Sequence, residues 1–176
     1  RPPLGGKLLR AAGLDPVFHT QTTVASHTEE PRRAHETNVI GSLNLLAGLA
    51  GDDTPVRRVV LKSSAHVYGA RHDLPGHLRE DRRLAAGSSH SFVRDIVETE
   101  NNLRDFAVRS PEVETASLRF ANSLTPDEPS PLPPSFTRPV DPTVQAFEPV
   151  LQHVHRQDCH RVHTRATLCE ASDNTH

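Results

Sequence analysis

Three short apolar runs, each giving way to polar residues, alternate with two stretches whose apolar residues recur at helical spacing. No other feature limits the fold of this chain as much. The first run, Val17 and Phe18, follows the turn-like Gly13-Leu14-Asp15-Pro16 and leads to Thr20, Gln21 and Thr22. The second extends from Val56 to Leu61 and ends at Ser63 and Ser64, and the third is VETASLRFAN, residues 113–122. Between the first two, residues 36–51 place Val39, Leu43, Leu46, Ala47 and Ala50 on one helical face, with Gly51 as a stop. Between the second and third, residues 91–109 carry a stripe of Phe92, Ile96, Leu103, Phe106 and Ala107. Arg94, Asp95, Glu98, Glu100 and Arg104 fall mostly off that stripe, and Pro111 ends the helix. Strand, helix, strand, helix, strand with short connections predicts parallel βαβ units with right-handed crossovers. The expected class is α/β, a doubly wound parallel sheet.

After Asn122 the pattern changes, because seven prolines between Pro126 and Pro142 oppose regular structure. Residues 1–125 therefore read as one domain and residues 126–176 as a Pro-rich connection and tail. That tail holds a short strand or helix around Val150 to Val154 and a His-rich end expected to fray. Residues 69–90, after the second strand, read as an irregular loop of the kind that carries function.

With 35% hydrophobic and 4% aromatic residues, the core is expected to be thin. A net charge of -2 gives no electrostatic footprint for nucleic acid or an anionic membrane, and neither is expected as a partner. No run approaches the roughly 18 apolar residues of a spanning helix, and the start lacks the order of a signal peptide. The reading is cytoplasmic. Cys159 and Cys169 are too few for a disulfide framework. The chain opens on Arg1 and contains no methionine, so it is expected to be a fragment or a processed product. His153, His155, Asp158, Cys159, His160 and His163 are candidate ligands, but their spacing fits no familiar zinc pattern, and no metal is assigned.

The motifs NVIGSLNLL, VVLKSSAHVYG, FVRDIVETE and LRFAN, in this order, resemble the middle of the extended short-chain dehydrogenase/reductase family, the NAD-dependent epimerase/dehydratases acting on nucleotide sugars. The resemblance covers roughly residues 13 to 160. It implies a Rossmann-like NAD(P)-binding fold, NAD or NADP as cofactor and a small-molecule substrate. It also implies a homodimer through the helices at 36–51 and 91–109. Thr20, Gln21 and Thr22 would lie beside the dinucleotide. Asn38 matches an asparagine near the cofactor, although a helix N-terminal cap would equally explain it. Ser64 matches the catalytic hydroxyl that binds the reacting sugar oxygen; the alternative is a strand-end hydroxyl satisfying nearby backbone. Ala121 matches a position near the nicotinamide, and Asn122 one near the substrate. Ligands of open α/β sheets bind outside the carboxyl ends of strands, which agrees with these placements.

Three departures qualify the resemblance. The family's general base is a tyrosine whose pKa is lowered by a lysine four residues later. Here those positions are Phe92 and Ile96, so catalysis in its usual form is expected to be impaired. The three-glycine phosphate turn is missing, since LGGKLL at 4–9 lacks its spacing and has no strand before it. In LQHVHRQD, His155 and Asp158 match the family's substrate segment, but Leu151 stands where an arginine often holds the sugar diphosphate. Whether the chain is an enzyme is left open. The first reading is an NAD(P)-dependent epimerase/dehydratase for a nucleotide sugar or related substrate. The alternatives are a non-catalytic dinucleotide-binding or dimerising module of the same fold, and a metal-binding protein using the His-rich tail.

Overall fold

The structure, a computed structural model, describes residues 13, 15–20, 22, 31–50, 54–69, 74–124 and 152–168. Strands β1 (Val17–His19), β2 (Arg58–Ser64) and β3 (Glu114–Phe120) form one sheet in the order β1-β2-β3. β1 runs parallel to β2, with Val17 opposite Val59, Phe18 opposite Val60 and His19 opposite Leu61. In β2, consecutive Val59, Val60 and Leu61 are 1%, 0% and 4% exposed, so both faces of the central strand are covered, as in a parallel sheet. The start of β2 is pinned by Asp15, whose Oδ1 accepts from the backbone N–H groups of Arg57 (2.9 Å) and Arg58 (3.2 Å). Arg58 in turn pairs with Glu114 of β3 at 2.7 Å.

The first helical segment differs from expectation in extent and, apart from Val39 and Leu46, which are buried as expected, in facing. It begins at Pro31, where a missing N–H is harmless, and continues through α1 (Pro31–His35), a π-helical turn (Glu36–Ile40) and α2 (Gly41–Leu49). A π turn holds an extra residue, so the buried face advances in steps of four through Ala34, Asn38, Ser42 and Leu46. Leu43, Ala47 and Ala50, expected to face inward, are exposed instead. The expected stop at Gly51 lies outside the described residues.

Helix α3 (Ser91–Arg109) occupies the expected range. Its buried face contains Ile96, Leu103 and Phe106, together with Asp95, Thr99 and Glu100. Burial of the two carboxylates departs from the expectation that they lie off the inward stripe, and each has a partner described below. One apolar cluster joins Val59 and Leu61 of β2 to Leu46, Leu49, Leu103 and Phe106 of the helices. A second gathers Val67 and Tyr68 with Val93, Ile96 and Val97, and Phe92 packs against it. Gly69 ends the 3-10 turn Ala65–Tyr68 with φ of 74°, and a Cβ there would stand 2.9 Å from the Ala85 methyl. Glycine is required on both counts.

The third strand is shorter than the predicted 113–122. It ends at Phe120, and Asn122 opens a separate strand, β4 (Asn122–Leu124), parallel to β5 (His153–His155), with Asn122 opposite His153. The polar end expected to fray is helical over α4 (Arg156–Leu168), with Asp158 in its first turn and Arg165 in its last, which suits the helix dipole. The Pro-rich stretch 126–142 lies outside the described residues. The chain divides into two compact units: Arg1–Ala70 with Arg82–Arg119, and Arg71–Asp81 with Phe120–His176. In the second, the rings of Phe120 and His163 pack 5.0 Å apart. No helix among the described residues is long and apolar enough to cross a membrane.

Candidate functional site

The parallel register of β1 and β2 brings Thr20 and Thr22 to the same sheet end as Lys62, Ser63 and Ser64. A small open cleft lies there, lined by Thr22, Asn38, Leu61, Lys62, Ser63, Ile96 and Thr99. The predicted cofactor residues Thr22 and Asn38 thus share one concavity. Thr20 is exposed at the end of β1, and Gln21 lies outside the described residues.

Asn38 is not an N-terminal cap, because it sits inside the continuous helical run and is 3% exposed. Its backbone carbonyl accepts hydrogen bonds from the hydroxyls of Ser42 and Thr99, the latter at 3.1 Å. Ser42 spends its one proton on that carbonyl. Its oxygen therefore accepts from His19 Nε2, 2.5 Å away, which fixes the His19 proton on Nε2. Burial lowers the His19 pKa and keeps the ring neutral.

Ser63 turns into the protein. Its hydroxyl donates to Glu100 Oε1 at 2.5 Å, and Arg119 grips the same carboxylate through Nε at 3.0 Å and Nη2 at 2.7 Å. Arg119 Nη1 also donates to the Tyr68 hydroxyl at 2.8 Å, with the guanidinium 5.3 Å from the tyrosine ring centre. Burial alone would raise the Glu100 pKa. The hydrogen bonds from Arg119, Ser63 and Ser117 outweigh it, so the pKa is lowered and the carboxylate stays ionised. Arg119 is held more firmly protonated than usual, first by its hydrogen bond to Glu100.

Ser64 faces the other way and is half-buried. Its Oγ lies 2.7 Å from His66 Nδ1 and accepts the His66 backbone N–H at 3.3 Å, capping the 3-10 turn. The local backbone bond anticipated as the alternative for Ser64 is thus present. The His66 ring meets Phe92 edge to face, with centroids 5.9 Å apart. Phe92 and Ile96, at the places where tyrosine and lysine would be required, do apolar work: Phe92 packs on His66, and Ile96 is 4% exposed beside the cleft.

Ala121 and Asn122 fall in the second unit, where Asn122 opens β4. Among the described residues, no three His, Cys, Asp or Glu side chains come together to hold a metal ion. Sequence reasoning overlooked Glu100, Arg119, Lys62 and His66, although all four lie inside the motifs FVRDIVETE, LRFAN and VVLKSSAHVYG. For Lys62 and Arg119 the available signal was a charged residue near the end of a predicted strand.

A small open parallel sheet with helices and a cleft at its carboxyl end defines a Rossmann-like protein. Residues 6–130 match the model of the NAD dependent epimerase/dehydratase family, and the chain belongs to that family. An uncharacterized protein of Mycobacterium bovis is 30% identical over 169 residues, 96% of this chain and 45% of that protein. A UDP-glucose 4-epimerase of Yersinia enterocolitica is 30% identical over 113 residues, 63% of this chain and 32% of that protein. Among solved structures, a UDP-glucose-4-epimerase of Stenotrophomonas maltophila with bound NAD and formylated UDP-arabinopyranose superposes with a TM-score of 0.70 at 23% identity. That match covers 95% of this chain and 55% of the other. The chain spans about half the length of the relatives it matches, or less.

Proposed function

We propose that this chain belongs to an NAD(P)-dependent epimerase/dehydratase acting on a nucleotide sugar or related substrate, with its ordinary acid–base route disabled. The observation that carries the reading is the cleft at the ends of β1 and β2, where hydroxyl, amide and ammonium groups surround an apolar floor. Leu61 and Ile96 suit the face of a flat ring, and Thr22 and Lys62 suit the hydroxyls of a ribose. The cleft is small and open, far short of a complete ligand pocket, so the reading needs only one part of a dinucleotide to rest on it. A bound nicotinamide would supply hydride chemistry. The chain's part is to orient it through Thr20, Gln21, Thr22 and Asn38 and to hold the sugar at Ser64; for Ala121 and Asn122 the support is the resemblance alone. The names of the similar UDP-glucose 4-epimerases support the substrate class.

A second reading, a non-catalytic dinucleotide-binding or dimerising module, is favoured by Phe92 and Ile96, which extend an apolar surface where a proton carrier and a cation are needed. Ile40 at 43% exposure and Leu43 at 39% would support a homodimer through the first helical run. Calorimetric titration with NAD and NADP, followed by UDP-glucose with absorbance of the reduced cofactor, tests the first reading. Absence of dinucleotide binding overturns the first and reduces the second to a dimerising module. Binding without turnover, in a dimer, selects the second. The paired change Phe92→Tyr with Ile96→Lys is expected to raise turnover by about 10²-fold, the size of a general-base contribution.

A further inference from the structure

Ser64 Oγ accepts the His66 backbone N–H and lies 2.7 Å from His66 Nδ1, close enough for its own proton to be given to that nitrogen. In that arrangement His66 carries its proton on Nε2 and keeps Nδ1 as a base. Nε2 has no hydrogen-bond partner among the described residues, and the residue is exposed. Burial of part of the ring lowers its pKa and keeps it neutral at neutral pH, and no charged side chain contributes to that shift. From helix α3, the neighbour is Phe92, which can neither give nor take a proton. No carboxylate orients Nε2 among the described residues, which separates this pair from a nucleophilic serine triad.

We propose that Ser64 and His66 form a two-step proton relay that replaces the group Phe92 cannot provide. This rests on the dinucleotide and sugar reading above. A substrate hydroxyl seated on Ser64 Oγ gives its proton to that oxygen while Ser64 passes its own to His66 Nδ1. Hydride leaves the same alcohol carbon for the oxidised nicotinamide dinucleotide, and the C–O bond becomes a carbonyl. One imidazolium and one reduced dinucleotide balance the oxidation, and the return transfer reverses each step.

Nitrogen NMR of the histidine rings tests the pair without relying on turnover. The expected result is an unprotonated Nδ1 on His66 with a pKa below the ordinary value, and a rise in that pKa with loss of tautomer preference in Ser64→Ala. Identical titration in the two proteins overturns the relay. In the presence of NAD and UDP-glucose as probes, His66→Gln is expected to lower turnover by about 10²-fold or more with dinucleotide binding unchanged. Turnover unmoved by His66→Gln, or NAD binding with no turnover in the unaltered chain, overturns the relay alone. Failure to bind NAD overturns the underlying functional reading as well, and the binding measurement tells the two failures apart.

Discussion

Ser63 and Ser64 are neighbours in one strand, share one side chain, and stand in opposite surroundings. Successive strand residues point to opposite faces, so a single step separates the two surroundings. Ser63 reaches a carboxylate that is itself clamped by a guanidinium, and every member of that network is engaged. Ser64 reaches the imidazole of an exposed histidine. The inner serine has a fixed partner whose charge is neutralised on the spot. The outer one has a partner whose protonation state can change. The difference teaches that a serine pair at a strand end can divide its labour: one residue anchors the strand to the helix, and the other caps the turn that follows.

The largest expected effect lies on the inner side. Arg119→Ala leaves the Glu100 carboxylate, 2% exposed, without its counter-charge and is expected to cost about 3–5 kcal/mol in denaturant unfolding. Replacing both, as Arg119→Met with Glu100→Leu, is expected to cost much less, because no charge is then stranded. A single change as mild as the double one would break the picture of an anchor. The folded pKa of Glu100 is lowered. Its contribution is therefore present above the unfolded carboxylate pKa and lost as pH falls through the folded value. Acid unfolding of the double variant should accordingly begin at lower pH than that of the natural chain.

The serines themselves sharpen the contrast. Ser63→Ala removes one bond to a buried charge and is expected to cost about 1.5–3 kcal/mol. Ser64→Ala removes a cap from a short exposed turn and is expected to cost about 0.5–1 kcal/mol. Equal losses, measured by the same unfolding experiment, would show that the two hydroxyls do not differ in kind.

Residue patterns made much of this legible. Val59, Val60 and Leu61 announced a covered strand, and the stripe from Phe92 to Phe106 announced α3 with its observed ends. The first helical run was read correctly as a helix and correctly at Val39 and Leu46, but Leu43, Ala47 and Ala50 face out, since a 3.6-residue period cannot anticipate a π turn at Glu36–Ile40. Glu100 was placed outside because charge alone signals solvent. Only its partner, Arg119, nineteen positions later and on another element, makes its burial tolerable. His66 was invisible for a related reason: its relation to Ser64 depends on the 3-10 turn after β2, which spacing does not specify.

The smallest expected effect belongs to a pair that is half inner and half outer. His35 Nδ1 bonds Asp95 Oδ1 at 2.8 Å and ties α1 to α3; the histidine side chain is 45% exposed and the aspartate 6%. The Asp95 hydrogen bond, chiefly, raises the His35 pKa against the opposing effect of burial, and the neighbouring Glu98 and Arg94 add smaller, opposite influences. A raised folded pKa means that the stabilisation is complete below the unfolded value and disappears as pH rises through the folded one. The natural chain should therefore exceed Asp95→Asn in stability by more at a pH about one unit below the ordinary histidine value of about 6.5 than two units above it. Because solvent screens the exposed ring, the pH-dependent part is expected to be about 0.5 kcal/mol, read as a difference in denaturant midpoints at the two pH values. A difference that does not change with pH would mean that Asp95 serves the helix contact without the imidazolium. The division between fixed inner partners and titrating outer ones would then be confined to the end of β2.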